Sequence, residues 1–356
     1  LNLNDEQCDR AFPGLTKDID HNVALGPFSL ARQTGDGAGI LKAGIKDNQL
    51  YILHSERDLP PELLDSQTAT LHQLHRALLT SPSPLPNTTL ALSITDHPFG
   101  ASLAYARPAY ALPNANHPPI TRAFLMPHFS FWAWPTPLVG SMARAAAAVD
   151  AIEGGVAFAE KDPRVVWRGT VGYAGGSRPR LREDLVRVAG GGRAWADVKG
   201  MEGGGMAVEG FCRYKYVLYT EGVTYSGRLQ FLQMCRSVLI APPFAWLQHT
   251  THLVRPVFAA DLGLRGGEGG GRKSVPDDQG VKAAWPTRYA PEEANAVFVS
   301  SDWSDLEATI RWLDENPGIA EGIAARQREL SVGGGYFSPA AETCYWRALI
   351  RGWSSV

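Results

Sequence analysis

The 356-residue chain contains a few short stretches whose residue types can bind or activate a substrate. The most complete is Gly222-Val223-Thr224-Tyr225-Ser226-Gly227-Arg228, which joins a strand-like run to a helix-like run. Backbone N–H groups at a helix start carry partial positive charge and suit a phosphate, and Ser226 can cap the helix or donate to that phosphate. Arg228 would stand in the first helical turn, where a cation opposes the helix dipole unless a bound anion offsets it. A tight turn with a solvated arginine accounts for the same residues. Trp167-Arg168-Gly169-Thr170 closes a short apolar run, and an arginine there can bond a diphosphate in two-pronged fashion. The plainer reading is again a surface arginine in a turn. Thr95-Asp96-His97-Pro98 follows a third apolar run, and an acid at the carboxyl end of a strand is a candidate for proton transfer. His97 competes for that role because imidazole titrates near neutral pH.

Other stretches carry weaker chemistry. Phe129-Ser130-Phe131-Trp132-Ala133-Trp134-Pro135 offers rings on which sugars and bases stack, or a packed aromatic cluster. His249-Thr250-Thr251-His252 has two metal-ligand types but neither a third ligand nor the acid of a helical zinc motif. Asp18-Ile19-Asp20 has the spacing of an acidic metal pair but lacks a strand before it, and reads as solvated charge.

The elements needed to hold these residues alternate along the chain. Leu63, Leu64, Leu71, Leu74 and Leu78 recur at helical spacing, and Ser81 to Pro86 breaks the helix. Thr88 to Thr95 alternates Leu90, Leu92 and Ile94, which predicts a strand leading to Asp96. Ser141 to Ile152 predicts a helix stopped by Gly154-Gly155. Strands follow at Val165–Trp167, Tyr216–Thr220, Ser237–Ala241 and Ala296–Val299, with a helix over Ser226–Met234. Ser304 is expected to cap a helix carrying Leu306, Ile310 and Leu313. Ile319, Ile323 and Leu330 mark another helix, and Ser338-Pro339 starts a terminal one. Strands alternating with helices predict α/β architecture. Gly190 to Gly205 and Gly266 to Gly271 read as flexible surface insertions.

Composition narrows the function classes. The length suits two domains, and 44 % apolar residues supply ordinary cores. A formal charge of −2 and the lack of a basic run argue against nucleic acid as a partner. No stretch is apolar and long enough for a membrane span. Asn87-Thr88-Thr89 is a glycosylation sequon, and the ten tryptophans fit either sugar platforms or cores. Cys8, Cys212, Cys235 and Cys344 allow three pairings. There is no G-x-S-x-G elbow of a hydrolase.

Taken in order, several motifs resemble glycosyltransferase family 90, which holds fungal capsule-associated xylosyltransferases and Rumi-type protein O-glucosyltransferases. They are Ser130-Phe131-Trp132, Trp167-Arg168-Gly169, Cys212-Arg213-Tyr214-Lys215-Tyr216, Gly222-Val223 to Ser226-Gly227-Arg228, Cys235-Arg236-Ser237-Val238, Asp302-Trp303-Ser304-Asp305-Leu306 and Cys344-Tyr345-Trp346. The resemblance covers most of Phe124 to Trp353 and is closest to fungal members.

The resemblance implies a GT-B-like fold of two Rossmann-type domains with the active site in the cleft between them. It implies a UDP-sugar co-substrate, inversion at the anomeric carbon, and neither cofactor nor metal. Asp96 matches the catalytic base. Arg168, Gly169, Gly222, Val223, Thr224, Tyr225, Ser226 and Arg228 match the stretches that hold UDP. Phe131 and Trp132, with His97, match a segment beside the acceptor and the donor sugar. It further implies pairing of Cys212 with Cys235, and with that of Cys8 with Cys344. The chain departs from the glucosyltransferase branch at Gln248, where an acid is usual.

The domains expected are an acceptor-side unit at 1–155, with the terminal helix 339–356 packing back on it, and a UDP-sugar-binding unit at 156–338. The activity expected is transfer of glucose or xylose to a hydroxyl of a glycan or protein. Disulfides imply the secretory lumen, in the endoplasmic reticulum or Golgi, with membrane attachment only through an anchor outside this chain. The competing class is a catalytically inactive carbohydrate- or nucleotide-binding protein of the same fold.

Overall fold

The computed structural model describes residues 1–29, 39–56, 58–109, 123–173, 178–264 and 279–356. Two sheets organise them. The first is mixed, with strands in the spatial order Gln49–His54, Ile40–Lys46, Thr88–Ser93, Leu103–Ala104 and Phe124–Leu125. Its first three strands pair antiparallel and its last three parallel. Leu90, Leu92 and Ile94 all enter its core, as their alternation predicts, although the strand itself ends at Ser93.

The second sheet is wholly parallel. Its order is Ala196–Gly200, Asp162–Gly169, Tyr214–Leu218, Val238–Ala241, Ala296–Phe298 and Pro256–Phe258. Successive side chains of a strand face opposite ways, so this sheet is buried twice. Val165, Trp167, Tyr216 and Leu218 join one core, and Val166, Val217 and Leu239 join the other. From Asp162–Gly169 the chain first moves outward to Ala196–Gly200 and then returns past it to Tyr214–Leu218. That reversal opens a crevice at the carboxyl ends of the two inner strands, where open α/β sheets bind ligands.

The helix Pro61–Leu79 buries Leu74 and Leu78, and the helix Met142–Glu153 is capped by the Ser141 hydroxyl and ends at Gly154. The terminal helix Pro339–Ser354 has Pro at its first turn and the Ser338 hydroxyl bonded to the Ala341 N–H. It inserts Tyr345, Trp346, Leu349, Ile350 and Trp353 into the core of the mixed sheet. Two disulfides are formed, Cys8–Cys344 and Cys212–Cys235, with Cα atoms 5.7 and 4.8 Å apart. The first ties the N-terminal helix Asp5–Ala11 to the terminal one.

Several expectations need correction. Gly190–Gly205 is not simply an insertion: Ala196–Gly200 is the edge strand of the parallel sheet and buries Ala196 and Val198. Its glycine-rich flanks hid a five-residue strand. Gly266–Gly271 lies outside the described residues. Ser304 does not cap the helix Leu306–Glu315; Asp305 occupies that position, and its carboxylate accepts from the Ser300 N–H and hydroxyl. Asp18 is not solvated: it is buried, ion-paired with Arg107 and bonded to Asn22. Asp20, on the same helix Lys17–Ala24, is exposed.

Candidate active site

The turn after Tyr214–Leu218 runs through Tyr219, Thr220 and Glu221 to Arg228 at the carboxyl end of the parallel sheet. The helix beyond it is shorter than expected, Leu229–Gln233, and Arg228 rather than Ser226 stands at its cap with no side-chain bond. Five residues make too weak a dipole to hold a phosphate, so any anion binding here must come from side chains. Arg228 supplies one. It donates to the Arg168 carbonyl and lies over the Phe211 ring. Loss of hydration pushes its guanidinium down to about 10, and repulsion from Arg182 adds to this.

Arg182 is the second cation, and sequence reasoning missed it. It stands in the first turn of the helix Leu181–Ala189 and is buried. Its guanidinium donates to the carbonyls of Thr170 and Glu221, each at 3.0 Å, so it bridges the ends of both inner strands. Burial lowers its pKa. No described carboxylate lies within ion-pair distance of Arg182 or Arg228. A cation early in a helix is the same signal that drew attention to Arg228, and it was legible in Leu181-Arg182 too. Trp303 holds this helix start. It adopts φ 62°, rare for a bulky residue, is fully buried, and donates its indole N–H to the Leu181 carbonyl at 2.9 Å.

Arg168 is differently placed. Its guanidinium turns back along the sheet to the Asp197 carboxylate at 2.7 Å, and also donates to the carbonyls of Asp197 and Trp167. Tyr214 shares the same carboxylate at 2.7 Å, which together with Arg168 and Lys199 holds Asp197 far below the usual carboxylate range despite its burial. Gly169 ends the strand where any Cβ would meet the Trp167 ring at 2.5 Å.

Asp96 approaches from the mixed sheet. Its turn is fixed by the His97 carbonyl, which accepts from the hydroxyls of Ser93 and Thr95 at 3.1 Å each. Solvent reaches Asp96, yet the surrounding protein strips enough hydration to raise its carboxyl above the usual value, against an opposing effect of His97. Its charge is felt by the buried phenols of Tyr105 and Tyr225. Tyr225 belongs to the turn that ends in Arg228, so the acid lies within electrostatic reach of that turn. His97 sets its ring edge-on to Trp246 at 6.2 Å.

Glu221 was also missed, although an acid directly after an apolar strand is the same signal as Asp96. It is buried, and one carboxylate oxygen accepts from the N–H groups of Ala245 and Trp246 at 2.9 and 2.8 Å. Burial pushes it up to about 7, with Arg178 at 3.7 Å opposing. Trp246–Leu247 in turn pairs antiparallel with Arg107–Pro108, so Glu221 anchors the segment that links the two sheets.

The aromatic run divides. Phe131 is buried between His249 and Phe337. Trp132 stacks on His72 at 5.1 Å with Arg76 over its ring. Phe131 presents no free face, whereas Trp132 is only half-buried. Trp134 instead lies against the turn, where a Cβ on Gly227 would meet its ring at 3.2 Å. His249 is wedged against Phe131 and Tyr345, and His252 meets the Gly14 carbonyl at 2.8 Å. Among the described residues the one grouping of metal-ligand types is Glu153, Cys212 and Cys235, whose sulfurs are already joined to each other.

No curated protein matches the chain. The profile described as Glycosyl transferase family 90 matches residues 4–258. That span reaches further toward the N-terminus than the motifs first suggested and includes Asp96, both inner parallel strands and the cationic turn. A match over well over half of the length assigns the chain: it belongs to glycosyltransferase family 90.

Proposed function

We propose that the protein transfers a sugar, glucose or xylose, from a UDP-sugar to a hydroxyl of a glycan or protein, with inversion and without a metal. The observation that carries this is the pair of guanidiniums of Arg182 and Arg228, which have no carboxylate partner among the described residues at the switch point of a parallel sheet. A buried cation without its counter-charge is costly, and a diphosphate supplies that charge. In this reading residues 156–338 form the donor unit and 1–155, with 339–356, the acceptor unit of a GT-B-like pair.

The acceptor oxygen attacks the anomeric carbon while Asp96 takes its proton. The bond to the β-phosphate breaks, and its electron pair leaves with UDP. Arg182 and Arg228 stabilise the charge that develops there. Asp96 is suited to its part because a carboxylate of raised pKa is the stronger base. Gly222 to Ser226 shape the turn, and Arg168 with Gly169 supports it from below, the Arg168 carbonyl holding Arg228. The two disulfides fit an oxidising compartment, which we take to be the secretory lumen. No helix among the described residues is long and apolar enough to cross a membrane.

Titration of the purified chain with UDP tests the donor site. Binding that survives excess EDTA and is weakened about 10–100-fold in Arg182→Met and Arg228→Met supports the reading. Binding that requires manganese overturns its metal-free form.

A further inference from the structure

His128 is a buried imidazole that nothing above assigns, and its hydrogen bonds define which nitrogen carries the proton. It stands before the short 3-10 turn Phe129–Phe131, and its carbonyl accepts from Gln73 at 2.9 Å. Its Nδ1 accepts the Ser130 backbone N–H at 3.2 Å and lies 2.6 Å from the Ser130 hydroxyl, which also meets Gln230. A backbone N–H can only donate, so Nδ1 is the bare nitrogen and Nε2 carries the hydrogen. Burial and nearby His249 push the ring down to about 3, so it stays neutral.

The edge bearing that hydrogen faces the turn. A Cβ on Gly227 would fall 2.5 Å from Cε1 and 2.8 Å from Nε2 of His128, so the turn and the imidazole approach closely only because residue 227 is glycine. Tyr105, Trp134 and Tyr225 surround the ring at 5.1, 6.0 and 5.4 Å between centroids. Two of them, Tyr105 and Tyr225, are the phenols that feel the Asp96 charge. His128 therefore packs against the turn that ends in Arg228 and against Tyr105. No described residue accepts its Nε2–H, although the side chain is only 2 % exposed. The ring is buried but Nε2 keeps contact with solvent, so a donor that water meets in the free protein is open to a ligand acceptor.

We infer that the Nε2–H of His128 hydrogen-bonds a hydroxyl oxygen of the donor's transferred sugar, making His128 a residue that selects the sugar rather than the nucleotide. This rests on the UDP-sugar reading above. A neutral donor suits a hydroxyl, whereas the diphosphate faces two full positive charges from Arg182 and Arg228. A site built to bond a substrate hydroxyl also discriminates strongly against a sugar that lacks or inverts it.

The test separates sugar from nucleotide. UDP affinity and slow hydrolysis of UDP-glucose and UDP-xylose are measured for the wild type, His128→Phe and His128→Gln. Phe keeps the ring packing and removes the donor; Gln returns an N–H near the Nε2 position. The expected result is UDP affinity within twofold in all three, at least tenfold lower kcat/KM for the better UDP-sugar in His128→Phe, and recovery to within about threefold of wild type in His128→Gln. Unchanged hydrolysis in His128→Phe, or a parallel loss of UDP affinity in a folded variant, overturns the inference. A measurement without substitution guards against misfolding. In protein with 15N-labelled histidines, the His128 Nε2–H resonance is expected to shift with the UDP-sugar and not with UDP, and a shift of equal size with UDP alone overturns the assignment. A wild-type chain that binds no UDP overturns the donor reading and this inference with it.

Discussion

The two ends of the parallel sheet treat buried charge in opposite ways. At the amino ends, Lys161 is buried and bonds the Glu153 carboxylate at 2.8 Å and the Arg236 carbonyl at 2.7 Å, while Glu153 also accepts the Arg236 N–H. At the carboxyl ends the side chains of Arg182, buried, and Arg228, half-buried, bond only carbonyls among the described residues, and loss of hydration lowers the pKa of each. Both ends contain buried cations of similar reach. The difference makes the carboxyl end the candidate for an anionic ligand, although Arg347 shows that a buried cation can also be met by carbonyls and a hydroxyl alone.

The sharpest way to break this comparison is to remove one cation from each end. Lys161→Met leaves Glu153 buried with one backbone partner. Breaking such a pair costs about 3–5 kcal/mol, read in denaturant unfolding, with UDP affinity unchanged. Arg228→Met is expected to do the reverse, as described below. If Lys161→Met weakens UDP binding as much as it lowers stability, the two ends are not separate in function.

The next effect in size concerns pH. Glu221 sits at the same carboxyl end, with its pKa raised from 4.5 to about 7. A raised acid gives stability that is complete below the unfolded pKa and is lost as pH rises through the folded one. Between pH 5 and 8 the loss from this group amounts to about 2–3 kcal/mol. His128 and His249, both pushed down to about 3, act oppositely: their stability is present above about 6.5 and lost as pH falls. Comparing wild type with Glu221→Gln isolates the first contribution. The expected outcome is a flatter stability curve above pH 5 in the variant, and identical slopes overturn it.

Asp96→Asn is expected to lower turnover by about 100-fold, the scale of a lost general base, with UDP affinity unchanged. His97→Ala is the control. An active Asp96→Asn beside a dead His97→Ala moves the base to the histidine, and a loss of UDP affinity in Asp96→Asn moves Asp96 to the donor side. Arg228→Met and Arg182→Met follow, each with about 10–100-fold weaker UDP binding and unfolding stability unchanged or raised, because an uncompensated charge has been removed.

How much of this was readable beforehand depended on whether a residue's signal was local. Periodicity announced Leu90, Leu92 and Ile94, and with them the rigid strand before Asp96. Ser338-Pro339 announced the terminal helix by the same local chemistry. Long-range pairing left no such mark. Nothing in Gly190–Gly205 distinguishes the edge strand Ala196–Gly200 from its glycine-rich flanks, since its stability comes from the ladder to Val165–Gly169. Asp18 read as solvated because its partner Arg107 lies 89 residues away. The aromatic run left a stacking platform and a packed cluster as alternatives, and only packing divides Trp134, against the turn, from Trp132, beside His72 and Arg76. Glu221 and Arg182 carried usable signals, an acid after a strand and a cation at a helix start, that were applied to Asp96 and Arg228 alone.

The smallest expected effect falls on Arg168, and it is the one that refines the comparison most. Sequence pattern groups Arg168 with Arg228 as a ligand of UDP, but their surroundings differ. Arg168 already has the Asp197 carboxylate at 2.7 Å, and that carboxylate is held in place by Tyr214 and Lys199. Moving its guanidinium to a diphosphate would take from Asp197, a buried acid held far below the usual range, one of the three partners that hold it there. An anion that binds at Arg182 and Arg228 meets no such competitor. Arg168 should therefore act through its backbone, whose carbonyl holds Arg228, and Arg168→Met should leave that carbonyl in place. The expected change in UDP affinity is under about threefold, with a stability loss of about 1–3 kcal/mol, because Asp197 loses its Arg168 bond but keeps Tyr214 and Lys199. Asp197→Asn gives the complementary test. If Arg168 is confined by its partner, freeing it should tighten UDP binding only in a background that retains Arg168; if Arg168→Met weakens binding as much as Arg228→Met, the arginine exchanges partners when UDP arrives, and the boundary between the paired and the open charges lies one strand further down the sheet.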